Sequence, residues 1–181
     1  MIPVHPTVQA LIDNERARSS AFDVALRDVE GELRPILCDE HEARTLGLAI
    51  FAHLLDWCRA HSTDHAFAND MAEIAKLHEL VAPVAINVPA ARSHGCAQGD
   101  KLAARFSARV GHRGTWPPEL RIPFELATML RRCLEERAVK FLPLIVHEAR
   151  WLVEYAGGSR GGVDQIVQRA VAPHLNRECP P

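Results

Sequence analysis

Apolar side chains recur along this sequence at intervals of three and four residues, and that spacing limits what the chain can fold into. Leu46, Ile50, Leu54 and Trp57 keep it most clearly, with Leu48, Phe51 and Leu55 widening the same surface. Successive residues on a helix are about 100° apart, so these side chains gather into one stripe. The two-residue alternation of a half-buried strand is scarce, and the β-branched residues fall inside the helical pattern. The expectation is an all-α protein, a single-domain bundle of roughly six or seven helices, each hiding its stripe against a neighbour.

The same spacing places the elements. Val8, Leu11 and Ile12, then Phe22, Leu26, Val29 and Leu33, predict a long amphipathic helix over about 6–33, begun near Pro6 and ended by Pro35. A second helix is expected over about 40–61, opened by Asp39 with Glu42 as a capping-box variant. Asp70 with Glu73 repeats that signal for a short third helix over about 70–82, which Pro83 stops. INVPAARSHGCAQGD, residues 86–100, reads as a loop because Pro89, Gly95 and Gly99 interrupt it. A fourth helix follows over about 100–110 and a fifth over about 123–141, which Pro143 kinks or restarts and which runs on to about 156. Beyond GGSRGG, the segment 157–181 is expected to hold a short terminal helix and a frayed tail.

At 181 residues, 48% of them hydrophobic and 24% charged, the chain can build one sizeable core. A formal net charge of −2 predicts neither a nucleic-acid nor a membrane partner. The charge is unevenly spread: residues 1–80 hold seven Lys/Arg against 14 Asp/Glu, and residues 81–140 hold ten against five. Such halves can pair within the fold or across a dimer. The longest apolar run, LGLAIFAHLLDW, is broken by His53 and falls far short of the ~20 residues of a membrane span. Five scattered cysteines, no CxxC and no apolar leader pattern point to reduced thiols and a cytoplasmic protein.

One stretch carries metal-ligand chemistry in its spacing. In DWCRAHSTDHAF, Cys58, His61 and His65 stand three and then four residues apart, on one face of a continuous helix. Thiolate and imidazole are zinc or iron ligands, and His94 and Cys96 can complete a four-ligand set. Against this, Ser62, Thr63 and Asp64 are cap and turn residues, so the helix can end near 61 and turn His65 away. An imidazole in a last helical turn is favourable without metal, because it meets the negative end of the helix dipole. A ferritin-like di-iron site needs Glu-x-x-His, which this chain lacks.

Other short motifs are incomplete. HAFAND at 65–70 resembles the opening of the Fic/Doc signature, which implies a phosphate-binding helix start. Met71 and Ala72 follow where that family has small residues and then a cation. SHGC at 93–96 is similar to the nucleophile motif of L,D-transpeptidases, which implies a Cys96 nucleophile on a largely β fold. Lys101, Arg105, Arg109 and Arg113 form a basic row that, with Trp116, can follow a nucleic-acid backbone; the plainer reading is a solvated helix face. With no complete catalytic constellation, the expectation is a non-enzymatic binding or regulatory protein. It self-associates as a homodimer or docks a protein partner, because the 6–33 stripe suits pairing with another helix.

Overall fold

The computed structural model describes residues 40–61, 68–110 and 118–158, together with positions 165, 167, 169 and 170. Among the described residues there are five helices and no strand: α1 (Glu40–His61), α2 (Ala68–Ala85), α3 (Pro89–Val110), α4 (Pro118–Cys133) and α5 (Ala138–Tyr155). The all-α expectation holds among the described residues, which contain five of the expected six or seven helices. The helix expected over 6–33 lies outside the described residues. In the expected terminal helix, Gln165, Val167, Arg169 and Ala170 are helical.

α1 covers the range its stripe predicts. Glu40 and Glu42 lie in its first turn, and Arg59 and His61 in its last, so both ends complement the helix dipole. Its Leu46, Ile50, Phe51 and Leu54 are fully buried. α4 touches every other helix; α1 touches α2, α4 and α5; α3 touches only α2 and α4. One core cluster runs through the bundle, in which Leu46, Ile50 and Leu54 of α1, Leu126 and Leu130 of α4, and Leu142 and Leu152 of α5 are all fully buried.

The expected loop 86–100 is instead most of α3, and this is the main correction. Pro89 opens the helix, at a position where its missing N–H costs no hydrogen bond. The two glycines are contact residues rather than breakers. A Cβ on Gly95 would stand 2.5 Å from both Leu134 Cδ1 and Val81 Cγ1, and one on Gly99 3.0 Å from Arg131 Cβ. Their absence of side chain lets α3 lie close against α4 and α2, burial that offsets the roughly 1 kcal/mol each glycine costs a helix.

Three other boundaries differ from the sequence reading. α2 begins at Ala68, placing Asp70 inside its first turn, and passes Pro83 to end at Ala85. α4 begins at Pro118, with Pro123 within its second turn. The break between α4 and α5 falls at 134–137, not at Pro143, which sits inside α5. α4 tightens there: Leu134 N–H donates to Arg131 O at 3.1 Å and Glu135 N–H to Arg132 O at 3.2 Å.

α1 supplies the partners this corner needs. Arg44 Nη2 donates to the carbonyls of Glu136 at 2.9 Å and Glu135 at 3.3 Å. The Glu40 carboxylate accepts the Val139 N–H at 2.8 Å, satisfying an orphan donor that α5 leaves uncapped at Arg137.

Candidate functional site

α2 and α3 form an antiparallel pair fixed at its two ends. At the tight turn between them, Asn87 N–H and Val88 N–H donate to Val84 O at 3.2 and 3.0 Å. At the far end Arg105 pairs with Glu73, and Arg109 Nη1 reaches Asp70 Oδ2 at 2.6 Å. Both guanidinium groups lie over the buried Phe106 ring, at 5.6 and 5.4 Å from its centre.

Between those ties α3 offers α2 one large apolar side chain, Leu102; Ala91, His94 and Gln98 are too small or too polar to fill the rest of the space. A cleft of about 690 Å³ results, floored by Leu77, Val81 and Leu102 and walled by Leu80 and Val84. Among the described residues the exposed large hydrophobics are Leu80 at 66%, Val84 at 46% and Val88 at 41%. All three lie on the cleft or on the turn that closes it. Complete burial of such a side chain is worth roughly 1.5–3 kcal/mol, and leaving these partly in water forgoes a share of that. In the sequence Ile74, Leu77 and Val81 keep the helical spacing of a core stripe, and Leu80 and Val84 lie beside it.

Four of the five candidate metal ligands are described, and they occupy separate environments. Cys58 is buried in the core, and burial pushes its thiol up to about 12. His61 is exposed at the end of α1, its ring stacked on Trp57 at 4.2 Å and its Nδ1 donating to Trp57 O at 2.9 Å. His94 lines the α2/α3 cleft. Cys96 lies on the α4 side of α3, its Sγ donating to Arg131 O at 3.6 Å, and burial raises its pKa too. Thiols so shifted are poor nucleophiles and poor ligands. His65 lies outside the described residues. Among the described residues no three His, Cys, Asp or Glu side chains converge as a metal site would require.

Of the basic row, Arg105 and Arg109 serve as interhelical ties, so a phosphate would have to compete with Glu73 and Asp70. Lys101 is exposed, and Arg113 lies outside the described residues. A second cleft of about 610 Å³, beside Cys96, has its cations engaged. Arg92 Nη1 donates to Ala85 O at 3.2 Å, and Arg131 pairs with Asp100 at 2.9 Å and with Glu135. No described helix is long and apolar enough to cross a membrane. Comparison of the chain with protein-family profiles, with curated proteins and with solved structures returns no match. The functional reading therefore rests on geometry.

Proposed function

We propose that this chain is a non-enzymatic docking protein, which binds a helix of a protein partner or of a second copy in the α2/α3 cleft. One observation carries the reading: the exposed large hydrophobics among the described residues gather at a preformed apolar groove. Grooves between two helices are filled in protein recognition by the apolar face of a third helix, through side chains at i, i+3 or i+4, and i+7. The groove is ready to receive such a face without rearrangement of α2 or α3, whose ends are tied.

Selection from a random peptide library against the full chain tests this. Enriched sequences should share apolar residues at helical spacing, and should lose binding to the Leu80→Ser variant. Leu80 is exposed, so its replacement leaves the core intact. Enrichment of peptides without that spacing, or indifferent to Leu80→Ser, would remove the cleft from the account.

A further inference from the structure

The cleft has a sign of charge as well as a shape. Its lining acid, Glu73, is already held by Arg105. Lys76, also on the lining, is exposed and has no ion-pair partner among the described residues; the same is true of Lys101 on α3. The Glu73–Arg105 pair sets the antiparallel register. Three residues along α2 from Glu73 stands Lys76, and three back along α3 from Arg105 stands Leu102, next to Lys101. Two free ammonium groups therefore stand at nearly one height, one on each helix. α3 as a whole carries Arg92, Lys101, Arg105 and Arg109 against Asp100, and Asp100 is paired with Arg131.

We infer that the cleft receives an acidic amphipathic helix of a partner protein; this rests on the docking role proposed above and names the partner's chemistry. From Glu73 to Val84 the groove runs ~16 Å at 1.5 Å per residue, the length of three helical turns. Two or three apolar side chains of the incoming helix meet Leu77, Leu80, Val81 and Val84. Its flanking carboxylates then fall to either side, within reach of Lys76 and Lys101. A basic helix would meet like charge at Lys76 and Lys101, with Glu79 of α2 the described carboxylate of these two helices that stands outside an ion pair. A nucleic-acid strand would find the cations but leave the apolar floor uncovered.

The probe is a capped, fluorophore-labelled synthetic peptide of about 16 residues, with leucines on one face and glutamates flanking them. Its companions replace every glutamate by lysine, or every leucine by serine. Titrated with the full chain, the acidic peptide should bind at least tenfold more tightly than either companion, and less tightly as salt rises. Lys76→Glu with Lys101→Glu should weaken it about tenfold, and Leu80→Ser at least as much. Equal binding of the lysine companion overturns the acidic assignment and leaves the docking role standing. Failure of both leucine-bearing peptides, or equal binding of the serine companion, overturns both. A doubled solution mass that Leu80→Ser returns to 20.1 kDa makes a second copy the occupant and overturns the inference. So does displacement of the peptide by a single-stranded oligonucleotide whose binding ignores Leu80→Ser.

Discussion

His78 shows how one side chain can link packing to solution conditions. It stands on α2 with its ring 5.4 Å from that of Phe51 on α1, tilted by 36°. Burial pushes its pKa below the ordinary 6.5, although Glu79, Asp56 and a backbone hydrogen bond to Leu48 oppose the shift. The sign follows from proton binding. Folding makes His78 a weaker base, so as pH falls through 6.5 the unfolded chain protonates first and stability is lost. The loss is complete once the lower, folded pKa is passed. His147 on α5 is shifted the same way, by burial and by Arg150. The denaturation midpoint should therefore be lower at about pH 5.5 than at about pH 7.5, and His78→Gln, neutral at both, should narrow that gap. An undiminished gap in the variant would show that the ring's burial does not carry the effect. In the three described cysteines burial dominates: Cys58, Cys96 and Cys133 are all shifted upward, chiefly by desolvation. In the folded chain they are structural thiols.

Among the helices, α3 separates what was legible in the sequence from what was not. Its glycines face neighbours of different stiffness, which gives a contrast that can be measured. At Gly95 an added methyl would meet the branched Val81 as well as Leu134, both at 2.5 Å. Overpacking of that kind costs about 1–3 kcal/mol, more than the roughly 1 kcal/mol that alanine returns through helix propensity. At Gly99 the nearest atom is Arg131 Cβ at 3.0 Å, which a shift of a few tenths of an ångström relieves. Urea denaturation should find Gly95→Ala destabilised by about 1–2 kcal/mol and Gly99→Ala within about 0.5 kcal/mol of wild type. Equal effects would mean that close approach is not why glycine stands at 95. α1 could be read from its sequence because its stripe, capping acids and final cations are all local to it. α3 could not, because a helix containing proline and two glycines is justified only by the surfaces of α4 and α2, which the sequence does not display. The cleft was hidden for a related reason. Leu80 and Val84 differ from core leucines and valines only in what α3 fails to place over them.

At the scale of the molecule, the uneven charge along the chain is partly spent inside the fold. Asp70 and Glu73 come from the acidic first stretch, and their partners Arg109 and Arg105 from the basic middle. The asymmetry is thus no independent argument for a dimer; Lys76 of α2 and Lys101 of α3 stay outside these pairs. The connectivity of the helices also says how the chain should unfold. α3 reaches the rest of the bundle only through α2 and α4, and α5 only through α1 and α4, so α4 joins both halves. Leu130 of α4 is fully buried within that junction. Leu130→Ala should cost about 2–5 kcal/mol and reduce amide protection in α1, α3 and α5 together, because each of them packs on α4. Leu80→Ser should leave protection and midpoint within about 0.5 kcal/mol of wild type, since its side chain stabilises nothing in the free protein. Hydrogen exchange separates the outcomes. Loss of protection confined to α4 and α5 would show that α2 and α3 fold as a unit of their own, and the cleft would then keep its shape when the remainder of the bundle opens.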